Sequence, residues 1–270
     1  MNLKNDIKAL LFDVDKTLVD RQINMTPSLK DSLIKLKDKG YLLGINSGRP
    51  VFSSFRVLEK NDALSLFDYF YGCNGLEFYD TENKRSTYLK EIDVSTIKQL
   101  DKLFYEDYLE LAFYKDEDKM CLNHEIGDET KLIDWTKARF VKPVVMDFDT
   151  IDYNIPKLVI LFKHEYREVV EKKIKDIHID SIDIFFSGDE CLEVVPKGIN
   201  KGNAVSDLAN KLNIDVKAIL TCGDSENDIP ALLKGTGVYV GNSDPNIAYS
   251  CSFEELGTFL SDYFKLACWK

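Results

Sequence analysis

LLFDVDKTLVD, residues 10–20, decides how the rest of the chain is read. An apolar run ends abruptly in Asp13-Val14-Asp15, and Lys16 and Thr17 follow. A continuous apolar run with a sharp polar end is the pattern of a strand buried on both faces of a parallel sheet. Period-two spacing puts both carboxylates on one side if the strand stays extended. Two carboxylates at one point raise each other's pKa unless a metal ion or a lysine offsets them. The plainer alternative is a turn in which the aspartates and Thr17 hydrogen-bond locally.

Strand and helix patterns alternate on either side of this stretch. TPSLKDSLIKLKDKG reads as a helix capped by Thr26, with Pro27 in its first turn and Gly40 as its stop. YLLGINSG is a second buried strand, PVFSSFRVLEK a helix, and DYFYGCNG a strand. Towards the C-terminus NKGNAVSDLANKLN is an amphipathic helix, KAILTCGD a strand, ENDIPALLKG a short helix, GVYVGN a strand and SFEELGTFLSDYF a helix. Such βαβα order predicts an α/β fold: a Rossmann-like parallel sheet covered by helices on both sides. Between these halves LEFYD, STYLKEI, LELAFYKD and KMCLNHE alternate more strongly and are joined by charged turns, with helical stretches near 128–140 and 166–176. The expected division is a core of residues 1–82 and 190–270, interrupted by an α+β domain over 83–189.

Composition narrows the function. With 35 basic and 46 acidic residues the formal charge is −11, which disfavours nucleic acid or anionic lipid as a partner. No run approaches the roughly 18 apolar residues of a membrane span. The six cysteines form no CxxC pair and read as reduced thiols, which suits a cytoplasmic protein. The aromatic residues of the middle, Tyr105, Tyr108, Phe113, Tyr114 and Trp135, read as core.

In an open parallel sheet, ligands bind beyond the carboxyl ends of the strands, and four polar clusters stand at that level. Asp13 and Asp15 are the first. Ser47-Gly48-Arg49 is the second: a hydroxyl and neighbouring backbone N–H groups suit a phosphate oxygen, though a turn serine is the ordinary alternative. Lys201 is the third. Its place in the first turn of a helix opposes the dipole, which a nearby anion would explain; Lys197 is a rival that precedes the helix. CGDSENDIPAL is the fourth. Ser225 and Asp228 suit a capping box there, but that leaves unexplained why Asp224 ends an apolar strand. Arg49 and Asn74, near strand ends, are candidate substrate contacts, against an ion pair for the arginine and a plain turn for the asparagine.

In chain order these clusters resemble the four signature motifs of the haloacid dehalogenase superfamily: DxDx[TV], a Ser/Thr after the second strand, a Lys, and GDxxxD or GDxxND. GDSENDIPAL, NKGNAV and CNGLEFYD are similar to the Cof-type phosphatases, whose α+β cap is inserted between motifs two and three. The resemblance implies that Asp13 is a nucleophile forming an aspartyl-phosphate and that Asp15 is the acid and then the base. It implies Mg²⁺ bound by Asp13, the backbone carbonyl of Asp15, and Asp224. Asp228 would orient the ion's waters or Lys201 from behind the ligands, and Lys201 would screen the attacking charge. Ser47 and the N–H groups of Gly48 and Arg49 would hold phosphate oxygens, with Asn227 assisting. The cap would close over the leaving group. Lys16 stands where Cof-type members usually have glycine. DKT also resembles the P-type transport ATPases, which would make Asp15 the attacking group, but the lack of membrane spans argues against that register.

The expected function is therefore a Mg²⁺-dependent phosphatase for small phosphate esters, sugar phosphates first. A phosphomutase and a non-enzymatic phospho-accepting signalling or ligand-sensing domain are the alternatives. A monomer or weak homodimer is expected.

Overall fold

The computed structural model describes residues 6–106, 108–116, 119–123, 141–241 and 244–266. From the N-terminus, β1 (Ala9–Phe12) leads to α1 (Pro27–Asp38), β2 (Leu42–Asn46), α2 (Val51–Lys60), β3 (Tyr69–Gly72), β4 (Glu77–Asp80) and β5 (Arg85–Tyr88). The middle carries α3 (Val94–Leu103), β6 (Glu110–Asp116), β7 (Lys119–Leu122), β8 (Lys142–Val145), β9 (Leu158–Leu161), α4 (Arg167–Lys175), β10 (Ile182–Gly188) and β11 (Cys191–Pro196). The last stretch adds α5 (Gly202–Leu212), β12 (Ile219–Gly223), α6 (Ile229–Lys234), β13 (Thr236–Val240), β14 (Tyr249–Cys251) and α7 (Leu256–Tyr263).

The chain forms two compact units, residues 1–87 with 200–270, and residues 88–199. In the first, an eight-stranded sheet has the order β14-β13-β12-β1-β2-β3-β4-β5. It is parallel from β14 to β3, and β4 turns back antiparallel on β3. The apolar run that opens the chain thus becomes a central strand, as a run without polar alternation requires. Its residues divide between two helical layers. Leu10 and Phe12 pack with Leu29 and Leu33 of α1, Val57 of α2 and Leu256 of α7. Ala9 and Leu11 pack on the other face with Val205 and Leu208 of α5 and Ala231 of α6. This is the expected α/β fold, a parallel sheet with helices on both sides.

Local signals act as expected. The Thr26 hydroxyl accepts the Leu29 N–H at 3.2 Å to start α1, and Gly40 ends the segment at φ 84. Helices α1 and α7 meet at Gly257, whose carbonyl accepts the Ser32 hydroxyl at 2.8 Å.

The second unit is a six-stranded sheet of order β10-β11-β9-β6-β7-β8, antiparallel except where β8 joins β7. Its core sets Ile97 and Leu100 of α3 and Val170 of α4 against Leu111, Phe113, Leu158, Ile160, Leu192 and Val194. A buried ion pair, Lys157 to Glu193 at 2.8 Å, lies in the same unit. Both boundaries fall later than the expected 83 and 189. Alternating apolar residues mark a strand but not the sheet it joins. Arg85–Tyr88 extends the first sheet, and Cys191–Pro196 is paired between β9 and β10 in the second. Tyr105 is exposed rather than core, whereas Tyr108 stacks on Tyr166 and Phe113 is buried. The expected helix near 128–140 and Trp135 lie outside the described residues. The cysteines among the described residues are free thiols.

A Cβ added at Gly257 would sit 2.5 Å from the Leu29 nitrogen, closer than backbone atoms tolerate. Gly257→Ala is therefore expected to push α7 off α1 and to lower stability by roughly 1–3 kcal/mol, read from urea unfolding of the full chain.

Candidate active site

Strand register assembles the site. Phe12 is level with Cys222 on β12 and with Ile45 on β2, so the residues that follow each of them emerge side by side. These are Asp13, then Gly223 and Asp224, then Asn46 and Ser47. The Asp13 N–H donates to the Cys222 carbonyl at 2.9 Å, so the backbone of Asp13 is held by the neighbouring strand. The location is the carboxyl edge of a parallel sheet, where this architecture binds ligands.

At the centre is the side chain of Lys201, 1% exposed. It donates to Asp13 Oδ1 and to Asp228 Oδ1, each at 2.6 Å. Lys201 caps α5, one residue ahead of the first helical residue, and its carbonyl accepts the Asn46 side-chain amide at 3.0 Å. Burial opposes the charged form of this amine, but the two carboxylates overcome burial and hold its pKa above the ordinary value. Asp228 is used on both oxygens. Its Oδ2 accepts the N–H groups of Asp224 and Ser225 at 3.1 Å and the Ser225 hydroxyl at 3.0 Å. The expected capping box therefore exists, and it also aims Asp228 at Lys201. Gly223 is required here: a Cβ would fall 2.3 Å from Asp228 Cγ.

Carboxylate oxygens of Asp13, Asp224 and Asp228 lie within 4.8 Å of one another. Burial pushes the Asp13 pKa well above its ordinary value; Lys201 opposes this, and the charges of Asp228 and Asp15 add to it. Asp224 is raised to about 6, first by burial and then by Asp228, with Lys16 and Lys201 opposing. Crowded, partly dehydrated carboxylates of this kind fit a hard divalent cation, which removes the repulsion that a lone lysine leaves.

Asp15 is placed differently from the expectation of two carboxylates side by side on an extended strand. β1 ends at Phe12, and the backbone turns sharply at Lys16, which has φ 59. The Asp15 carboxylate is gripped by Arg49 in a bidentate pair, Nε to Oδ2 at 2.7 Å and Nη2 to Oδ1 at 2.8 Å. Arg49 is buried and also donates to the Ser53 hydroxyl at 3.1 Å. Asp15 still lies within electrostatic reach of Asp13 and Asp224, since its charge raises both.

The second cluster is a buried loop after β2. The Ser47 hydroxyl accepts the Arg49 N–H at 3.1 Å across Gly48, and the Ser47 carbonyl accepts the Asn74 N–H at 2.9 Å. Asn74, at φ 59, accepts the Asn227 amide on its own side-chain oxygen at 3.2 Å. Ser47, Asn74 and Asn227 thus form one chain of contacts. Asp13, Lys201, Asp224 and Asp228 form the other group, and Arg49, whose guanidinium holds Asp15, is joined to the first through the Ser47 hydroxyl. Lys197, the rival lysine, is instead paired with Asp183 at 2.7 Å.

Sequence reasoning missed Asn46 and Ser53. Asn46 was legible as a polar residue closing a buried strand next to Ser47, and its buried Oδ1 has no hydrogen-bond partner. The Thr17 hydroxyl, which the plainer alternative of a local turn had hydrogen-bonding nearby, is likewise buried without a partner.

A family model described as haloacid dehalogenase-like hydrolase matches residues 10–254. The chain belongs to that family. As a haloacid dehalogenase-like protein it is a hydrolase, and its relatives are spread thinly in sequence. YxeH of Bacillus subtilis (strain 168) is 24% identical over 254 residues, 92% of each chain. The HMP-PP phosphatase of Escherichia coli (strain K12) is 23% identical over 250 residues, covering 87% of this chain and 85% of its own. Among solved structures, a haloacid dehalogenase-like hydrolase from Bacteroides thetaiotaomicron superposes with a TM-score of 0.82 at 19% identity, over 97% of this chain and 100% of that one. The HAD subclass IIB sugar phosphatase BT4131 gives 0.77 at 19% identity, over 96% and 100%. These likenesses establish a shared fold. No helix among the described residues is long and apolar enough to cross a membrane.

Two outcomes follow from the electrostatics. Lys201→Met leaves Asp13 and Asp228 buried without a cation and should cost roughly 3–5 kcal/mol, measured by urea unfolding in chelator. The second concerns pH. The pKa of Asp224 is about 6 in the native state against an ordinary 3.8, so the native state binds more protons between those values. Metal-free stability should therefore fall through this group as pH rises from about 4 to about 6. Asp224→Asn should flatten that fall, and a divalent cation should raise the Tm more at pH 7 than at pH 5.

Proposed function

We propose that this hydrolase is a Mg²⁺-dependent phosphatase acting on small phosphorylated metabolites, sugar phosphates foremost, through a phosphorylated Asp13. The observation that carries the proposal is the Lys201 ammonium bonded to Asp13 and Asp228 beside Asp224, at the carboxyl edge of the sheet. The phosphatase and sugar phosphatase names among the relatives and structural neighbours agree with it.

Asp13 and Asp224, with the Asp15 carbonyl, would hold Mg²⁺, and Asp228 would stay committed to Lys201 and the Asp224 loop. Bound there, the ion would supply positive charge that lets an anionic carboxylate approach an anionic phosphate. Lys201 fixes the Asp13 carboxylate and contributes charge of the same sign. An Asp13 oxygen attacks phosphorus, the bond from phosphorus to the ester oxygen breaks, and the leaving alkoxide takes a proton from Asp15. Water then attacks the acyl-phosphate, Asp15 accepts its proton, and inorganic phosphate leaves with Asp13 restored. For this, Asp15 must leave Arg49 and take up a proton from solvent before the first transfer, freeing a guanidinium that can pair with phosphate oxygens. The Ser47 hydroxyl, held by the Arg49 N–H, and the Gly48 N–H bind the same oxygens, and Asn74 and Asn227 brace that loop. The inserted unit selects the leaving group.

A screen of phosphorylated sugars, nucleotides and vitamins should find Mg²⁺-dependent release of inorganic phosphate, abolished by chelator. Asp13→Asn should lower kcat by about a thousandfold or more and should not become covalently labelled by radioactive phosphate ester. Labelling that survives in Asp13→Asn and is lost in Asp15→Asn would transfer the nucleophilic role to Asp15.

A further inference from the structure

CNGLEFYD, the stretch that follows β3, carries an acid that the site as described does not use. Glu77 opens β4 and is only 2% exposed. Both of its carboxylate oxygens are engaged. Oε2 accepts the Val51 N–H at 2.8 Å, and the Cys73 thiol donates to the same oxygen at 3.8 Å. Oε1 accepts the Ser86 hydroxyl of β5. Val51 is the first residue of α2, where an N–H has no partner within the helix. Pro50, ahead of it, offers no side-chain cap. A carboxylate from another strand therefore takes the place of the cap, at the helix end where the dipole favours an anion.

The segment that leads into α2 gives this contact its consequence. Residues 47–51 run from the Ser47 hydroxyl and the Gly48 N–H into the helix, and three bonds tie them to residues 73–77. The Asn74 N–H donates to the Ser47 carbonyl and the Cys73 N–H to the Arg49 carbonyl, each at 2.9 Å. Those two are backbone bonds, whereas the third, from Val51 to Glu77, depends on a side chain. The packing leaves no slack. A Cβ at Gly72 would stand 2.4 Å from Glu77 Oε2, 2.8 Å from the Val51 nitrogen and 2.9 Å from the Arg49 carbonyl oxygen.

We propose that Glu77 is a positioning residue for the phosphoryl group: it fixes the exit of the loop, and thereby the aim of the Ser47 hydroxyl and the Gly48 N–H. This rests on the phosphatase reading of the site, in which Glu77 touches no reacting atom. A loop released at its exit loses that aim, and hydrogen bonds weaken steeply with misalignment. Glu77 also fills the N-terminus of α2 with the protein's own anion, which leaves the phosphate to the loop ahead of the helix. The acids proposed for the divalent ion, Asp13 and Asp224, follow β1 and β12 and are not held by this contact. The effect therefore falls on phosphate and spares the metal.

Calorimetric titration of the full chain with Mg²⁺, and then with orthophosphate at saturating Mg²⁺, reads the two ligands separately. Glu77→Asp keeps the charge but is one methylene too short to reach Val51, and should bind orthophosphate about tenfold more weakly. Glu77→Gln keeps the length and an acceptor for the Val51 N–H, and should stay within about threefold of wild type. Both should bind Mg²⁺ within about twofold of wild type. Orthophosphate affinity unchanged in Glu77→Asp, Mg²⁺ affinity lowered by the same factor, or a loss in Glu77→Gln as large as in Glu77→Asp overturns the inference and leaves the phosphatase reading standing. If Glu77→Asp does not fold, Ser86→Ala decides, since it removes only the donor to Oε1. Orthophosphate binding weaker by about two- to threefold with Mg²⁺ unaffected supports the inference, and no change overturns it. Wild-type protein that binds neither Mg²⁺ nor orthophosphate overturns both readings.

Discussion

Lys201 places its ammonium 2.6 Å from a carboxylate oxygen of Asp13 and of Asp228, and much of the surrounding structure serves that contact. Burying one cation with two anions is unfavourable unless every remaining lone pair is accounted for. Asp228 meets this demand with the capping loop 224–225, whose N–H groups take its second oxygen. Asn46 meets it from the other side by tying down the backbone of Lys201. The adjoining glycine at 223 leaves room for the acid to approach. The group is therefore tied together by the protein's own bonds, and the excess negative charge that remains favours a cation.

The pair of Asp15 and Arg49 follows a different logic. Both carboxylate oxygens are spent on a guanidinium, which makes a firm fork-to-fork contact but leaves the acid turned to a partner in its own protein. Asp15 is half exposed, while Arg49 is buried and braced by Ser53. The arginine is thus the fixed member and the aspartate the member able to rotate away. In the proposed reaction, the same side chain that restrains the acid becomes available to the anion once the acid moves.

The parallel sheet was legible because its strands are buried on both faces and so carry unbroken apolar runs with polar ends. The meeting of Asp13 and Asp224 was legible for the same reason, since strand ends in such a sheet lie level; Lys201 and Asp228 stand at helix starts and were grouped with them through the resemblance of the four motifs. What escaped the sequence depends on features with no local signature. The partner of Asp15 lies 34 positions away and is decided by a backbone turn at Lys16, which a lysine gives no hint of adopting. Strands Arg85–Tyr88 and Cys191–Pro196 have readable alternation, but alternation does not say which of two sheets offers a free edge. The three-residue strand Tyr249–Cys251 is too short to carry any pattern.

The order of the strands also bears on how the protein is made. β1 sits between β2, which follows it closely, and β12, which arrives only after the whole inserted unit. During synthesis, one edge of the strand that carries Asp13 therefore stays unpaired while more than half of the polypeptide leaves the ribosome. Its counter-cation is encoded on the far side of that delay as well. The inserted unit, continuous in sequence, can complete itself first. A nascent chain stopped before residue 201 would thus present an exposed apolar strand tipped with an unneutralised acid, a species suited to chaperone capture.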